Sequence, residues 1–261
     1  MGTVQSFWRS IAFGAALLLS AGSAVAAPTL LIITSGVTAP VAQMTASGLF
    51  STIDTFDASA GNPTLAFVTA HDTVLAITNT VPADGVGLGN VLGDAVDAGK
   101  RVTVATYSLS QPWWISGKMQ THGYSPLVNV GANGDVSGNI VPTVPGDPIF
   151  SGVNLGSVTF FHNSSFAHAN VDPGATLLAT DGAGVNMIAR SANGRVVALN
   201  LFPDASEVQN NAEFYKLVAQ AVAFGAGSVS KAVPTLSEWA LFALALALAA
   251  GAAFALRRRF R

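Results

Sequence analysis

An open, mostly parallel α/β sheet with helices on both faces, framed by an export signal and a membrane-length helix, is the architecture this sequence predicts. Three observations carry that expectation. Apolar runs that read as fully buried strands recur along the body: TLLIIT at 29–34, TVLAIT at 73–78 and RVTVATY at 101–107. Stretches with helical character separate them, one opened by the cap-like Asn62-Pro63 and one stopped by Gly99. The two ends are apolar without belonging to that alternation, and together they inflate a composition that is 50% hydrophobic and 10% charged.

The N-terminal end comes first. Arg9 supplies a positive n-region, Ile11 to Leu19 an apolar h-region, and Ala24-Val25-Ala26 a small-residue cleavage site. This is the pattern of a secretory signal removed after Ala26; an uncleaved N-terminal anchor is the alternative. Residues 1–26 are therefore a signal segment, 27–224 the body, 225–232 a Gly/Ser/Ala linker and 233–261 a separate tail.

Within the body, Thr29 to Thr34 is the first strand, Pro40 to Phe50 a short helix and Thr52 to Phe56 the second strand. Asn62-Pro63 reads as an N-cap with proline at the first helical position, opening a helix through Ala70. Thr73 to Thr78 is the third strand. Asp84 to Ala98 places Val86, Leu88, Val91, Leu92 and Val96 at helical spacing, and Gly99 stops it. Arg101 to Tyr107 is the fourth strand. The second half is less regular, with short strand candidates at Leu127 to Val130 and Val158 to Phe161. Asn186 to Arg190 and Arg195 to Leu199 flank the hairpin dipeptide Asn193-Gly194. Ala205 to Phe224 closes the body as an amphipathic helix bearing Phe214, Leu217, Val218, Ala221 and Val222. Strand–helix–strand repetition with buried runs gives a parallel sheet covered on both faces.

This order, carried by DTVLAITN at 72–79, DAGKRVTVATYS at 97–108 and GRVVALNLFPD at 194–204, resembles the flavodoxin-like layout of class I glutamine-amidotransferase-like domains, including the trehalose-utilisation type. The resemblance implies a cysteine nucleophile on a tight turn after a strand, served by a later histidine. The chain contains no cysteine, so thiol amidotransferase activity is excluded and no residue inherits that role. Disulfides and thiolate metal sites are excluded with it.

Other chemistry rests on fewer residues. Ser108 and Ser110 follow the fourth strand, where such a nucleophile would stand, but TYSLSQ lacks the glycines of a G-x-S-x-G elbow. Of the four histidines, His71, His122, His162 and His168, the last two lie in the polar segment FHNSSFAH, with Asp172 or Asp204 as conceivable carboxylate partners. Their spacing matches no zinc signature, so no metal or cofactor is expected. Gly85, Gly87, Gly89 and Gly93 lack the order of a phosphate loop. Gln111-Pro112-Trp113-Trp114 follows the fourth strand directly, where ligands bind in open α/β sheets. Paired tryptophans stack on sugar faces or pack over a core. From 27 to 232 the chain has seven Lys/Arg against thirteen Asp/Glu, net −6, and no basic stripe. Nucleic acid is not an expected partner.

At the other end, Trp239 to Leu256 is uncharged and spans roughly 27 Å as a helix, near the roughly 30 Å of a bilayer core. Arg257, Arg258, Arg259 and Arg261 follow, and positive charge stays cytoplasmic, which leaves the body on the exported side. Val233-Pro234-Thr235-Leu236-Ser237-Glu238-Trp239, one span and an arginine cluster resemble the IPTL-type C-terminal sorting signal of Gram-negative bacteria. Val233 stands where isoleucine is usual. The resemblance implies recognition and cleavage near the motif by an exosortase-like membrane enzyme, after export and signal-peptidase processing, and an association with exopolysaccharide production. Pro234 keeps the motif extended, as a protease requires; a plain tail anchor is the other reading.

The expectation is an exported protein, tethered to the inner membrane during sorting and then placed at the cell surface or in the matrix. Its body acts by binding, through Trp113 and Trp114 on an extracellular glycan, or structurally. The alternative is a cysteine-independent carbohydrate-active hydrolase using Ser108, His162 and Asp204.

Overall fold

The computed structural model describes residues 26–129, 139–162, 165 and 169–224. Thr29–Ser35 (β1) and Thr52–Asp57 (β2) flank a six-residue helix, Val41–Ala46 (α1). Leu65–Thr69 (α2), Thr73–Thr78 (β3), Gly85–Asp97 (α3) and Arg101–Ala105 (β4) follow. Next come Lys118–Thr121 (α4), Leu127–Asn129 (β5), Val141–Pro142 (β6) and Ala169–Val171 (β7). The body closes with Thr176–Thr180 (β8), Asn186–Arg190 (β9), Val196–Leu199 (β10) and Ala212–Ala223 (α5).

Among the described residues, eight strands form one sheet in the order β2-β1-β3-β4-β10-β9-β8-β6. The first five are parallel, in the 2-1-3-4-5 order of flavodoxin-like sheets with β10 in fifth place. Beyond β10 the pairing turns antiparallel through β9, β8 and β6. β5 and β7 make a separate antiparallel pair.

Strand residues alternate between two hydrophobic layers. Leu30, Ile32, Leu75 and Ile77 pack with Met44 of α1 and with Phe214, Leu217, Val218 and Val222 of α5. Leu31, Ile33, Val74 and Ala76 pack with Val68 of α2 and Leu88, Leu92 and Val96 of α3. Full burial of each such Leu or Ile contributes about 1.5–3 kcal/mol. The last turn of α5 is fixed to the sheet by two buried threonines: Thr73 Oγ1 donates to Val222 O at 2.8 Å and Thr103 Oγ1 to Ala221 O at 3.4 Å. They satisfy carbonyls that a helix end leaves unpaired.

Several element boundaries differ from expectation. The helix read from Asn62-Pro63 starts later: Thr64 is its N-cap and accepts from Phe67 N at 3.2 Å, while the Asn62 amide turns to Asp84 at 3.2 Å. The fourth strand stops at Ala105, and Thr106–Leu109 winds into a 3-10 turn. Val158 to Phe161 is not a strand. Its backbone is held by side chains from the turn before α5, with Thr159 N and Phe161 N donating to Asn211 Oδ1 and Asn210 Oδ1 at 3.3 and 3.0 Å. The closing helix begins at Ala212 behind an Asn211 cap rather than at Ala205. Val86 faces outward from α3, 55% exposed. No helix among the described residues is long and apolar enough to cross a membrane; the expected span at 239–256 lies outside them.

Candidate functional site

The chain leaves β1 for β2 on one side and returns to β3 on the other, so the carboxyl ends of β1 and β3 form the switch point where ligands bind in such sheets. Hydroxyl groups line it. Ser35 Oγ lies 2.9 Å from Thr80 Oγ1, and the Ser35 carbonyl accepts from Asn79 N and Thr80 N at 2.8 and 3.1 Å. Gly36 between them has φ 63°, and a Cβ there would run into the Thr80 side chain. Glycine is thus required on both conformational and steric grounds.

One strand further along, Thr78 Oγ1 donates to Trp113 O at 2.8 Å and lies 3.2 Å from Ser108 Oγ. With its single proton directed at Trp113, Thr78 is left as the acceptor for Ser108. The Ser108 hydroxyl, 1% exposed, also lies 3.4 Å from Ala76 O. It is enclosed by strand β3 rather than presented to a cleft.

Aromatic side chains crown this edge. Tyr107 meets Trp113 edge-on at 5.1 Å between centroids and Phe202, just past β10, at 5.3 Å. Tyr107, Trp113 and Trp114 are half-buried. The Gln111–Pro112 peptide bond ahead of the tryptophans is cis.

The segment after the tryptophans is seated on α3. Gly85, Gly89 and Gly93 recur every four residues and so share one helix face. A Cβ at Gly85 would stand 2.8 Å from Trp114 O, one at Gly93 2.8 Å from Lys118 Cγ, and one at Gly89 would overlap the Ser116 carbonyl. Their bareness lets 114–118 lie directly on the helix, fixed by Ser116 N to Gly85 O at 3.1 Å and Lys118 N to Asn90 Oδ1 at 2.9 Å. Lys118 Nζ then meets Asp94 at 2.6 Å and also Asp97. Hydrogen bonds donated to those two carboxylates push the Lys118 pKa above its ordinary value, and Lys118, then Tyr124, hold Asp97 below its own. Read as a phosphate loop these glycines have no role; their four-residue period is the signal that marks a seat.

The predicted polar candidates are engaged separately. Asp204, 8% exposed, accepts from Ser206 N and Ser206 Oγ, both at 2.8 Å, and its carbonyl takes the Tyr215 hydroxyl at 2.6 Å. His162 packs on Phe160 at 4.3 Å, and its buried Nδ1 has no hydrogen-bond partner among the described residues. No hydrogen bond joins any two of Ser108, His162 and Asp204 there. Ser110 Oγ donates to Gln111 O at 3.4 Å. His71 is buried, with Nδ1 3.0 Å from Phe67 O and Nε2 2.9 Å from Asp54; His122 stacks on Tyr124. Asp172 turns the chain after β7, its backbone N–H donating to Pro126 O at 3.0 Å. No three His, Asp or Glu among the described residues are grouped to hold a metal ion. Ala26 is exposed just ahead of β1. His168, Ala24, Val233 to Trp239 and Arg257, Arg258, Arg259 and Arg261 lie outside the described residues.

Comparison with known proteins separates tail from body. The IPTL-CTERM motif matches residues 231–259. It implies an exported, cell-surface-directed protein. No curated protein matches the chain. Among solved structures, a protein described as ThuA-like from Bacteroides uniformis aligns with TM-score 0.53 and 14% identity, covering 81% of this chain and 96% of its own. One described as a GMP synthase component from Thermoplasma acidophilum gives 0.48 and 10%, over 76% and 94% of the two chains. PurLQS from Thermotoga maritima gives 0.48 and 10%, over 75% and 98%. The ThuA-like likeness supports the fold of the body and nothing more specific.

Proposed function

We propose that this is a surface-sorted envelope or matrix protein whose α/β body binds an extracellular glycan at the carboxyl edge of its sheet, without thiol chemistry. Signal peptidase removes the first 26 residues, and an exosortase-like enzyme handles the tail around Val233 to Trp239. The observation that carries the binding role is the contrast between two neighbours just past β4. Ser108 is closed off against Thr78 and Ala76 O, while Tyr107 and Trp113 form a half-buried aromatic ledge outside it. A ring on such a ledge offers apolar area to the C–H face of a sugar at little entropic cost, since an aromatic side chain has only two rotatable torsions.

Glycan arrays probed with the exported protein test it. Retention of a glycan should fall at least about thirtyfold in Trp113→Ala, an anchor loss of about 2 kcal/mol, with thermal stability showing that the variant is folded. No retained glycan, or equal retention by the variant, would refute the proposal. Cleavage of an arrayed glycan that disappears in Ser108→Ala would establish the hydrolase reading in its place.

A further inference from the structure

Strand β2 ends the sheet. Among the described residues it pairs with β1 alone, and Thr52, Asp54, Thr55 and Asp57 are exposed. An edge strand of this kind offers a row of backbone donors and acceptors to an incoming chain. Beside it, Phe56 of β2 and Phe67 of α2 lie 6.1 Å apart and line, with Asn62, Pro63 and Thr64, a shallow concavity of about 260 Å³. Phe67 is 38% exposed there.

Charge distinguishes the possible occupants. Of the six aspartates between Ala26 and Gly99, Asp94 and Asp97 pair with Lys118, while Asp54 and Asp57 lie on β2 and Asp84 beside the concavity, and this stretch holds no lysine or arginine. Asp54 stands on the same strand face as Phe56, two residues away, and its side chain is 61% exposed although it meets His71. Asp84 reaches the concavity through its bond from Asn62. A second copy adding through β2 would bring aspartates against aspartates, which disfavours pairing, whereas opposite charges across strands favour it.

We propose that the β2 edge and the Phe56–Phe67 concavity form a docking surface for an extended, lysine- or arginine-bearing segment of another protein. The segment adds as a further strand. One basic side chain lays its stem on the two phenylalanine rings and its charge beside Asp54, a placement favoured by apolar contact and by the ring quadrupoles. This surface lies on a different edge of the sheet from the tryptophans and does not depend on the glycan reading.

The test uses the full exported chain, a synthetic peptide alternating lysine with threonine, and its glutamate–threonine counterpart. Hydrogen exchange at the amides of Thr52–Asp57 should slow with the basic peptide and not with the acidic one. Affinity should fall about tenfold in Asp54→Asn, and the parent's affinity should fall with added salt as exposed charges are screened. The asparagine amide can still meet His71 Nε2, and circular dichroism checks the fold of the variant. Absence of binding, binding without protection of the β2 amides, or undiminished binding by Asp54→Asn would overturn the proposal. So would protection of the same amides by self-association without peptide.

Discussion

Replacing Gly89 by alanine tests whether the glycine face of α3 seats the tryptophan segment. Helix propensity alone favours the change by about 1 kcal/mol. The structure opposes it, because the new methyl would overlap the Ser116 carbonyl. Relief requires backbone movement of 114–118, since the obstructing atom is main chain. Overpacking of this kind costs about 1–3 kcal/mol. Loss of Ser116 N to Gly85 O and Lys118 N to Asn90 Oδ1 adds about 0.5–1.5 kcal/mol each. Set against the propensity gain, the net destabilisation is about 3 kcal/mol, or about 6–12 °C in melting temperature for a body of this size. Gly85→Ala should cost less, because its Cβ stands 2.8 Å from Trp114 O and a shift of about half an ångström restores ordinary contact. Gly146→Ala, with open space around it, should be near neutral. Thermal unfolding followed by circular dichroism and by tryptophan emission reads both quantities, and Gly89→Ala should also redden the emission. A Gly89→Ala protein as stable as the parent or more so, with unchanged emission, would refute the reasoning.

Two further perturbations probe the rest of the body. Asp147→Asn removes the charge facing Arg190 at 2.9 Å, where the aspartate side chain is 4% exposed, and Arg190 also lies over Phe224 at 4.6 Å. Urea unfolding should show a loss of about 2–3 kcal/mol, below the cost of stranding a fully buried charge because Arg190 keeps some solvent; a change under about 0.5 kcal/mol would contradict this. Asp72 is held below the usual carboxylate range by the Thr29 backbone N–H, against desolvation, with further help from the Thr29 hydroxyl and Lys100. A lowered folded pKa means its stabilisation is complete above the unfolded value near about 4 and is lost as pH falls below it. Asp72→Asn should therefore flatten the acid limb of the urea midpoint against pH, leaving a residual slope from Asp57 and Asp97, which are lowered too. Parallel curves would show that Thr29–Asp72 contributes nothing.

What the sequence made legible follows the locality of the interactions. β3 appears where expected because TVLAIT is buried throughout, and α3 starts within a residue of expectation because the Asp84 carboxylate accepts from Gly87 N, three residues on. The parallel first half consists of adjacent strand–helix units, so local pattern and tertiary packing agree. The second half does not. β7 and β8 are three and five residues long with mixed burial, too short and too uneven to register as periodic. Val158 to Phe161 is apolar enough to look like a strand, but its partners are asparagine side chains about fifty residues away. At the candidate site, position after β4 pointed to Ser108 and the tryptophans. The enclosure of the hydroxyl by Thr78, and the use of α3 glycines as a seat, depend on contacts between separate elements that spacing alone does not reveal.

The mass of the exported protein tests the central claim most directly, in hosts with and without the sorting enzyme. A mature species beginning at Ala27 and ending near Val233 to Trp239, replaced by one ending at Arg261 when the enzyme is deleted, is the predicted result. A chain that retains Arg261 in both hosts would contradict it and leave the tail a simple anchor.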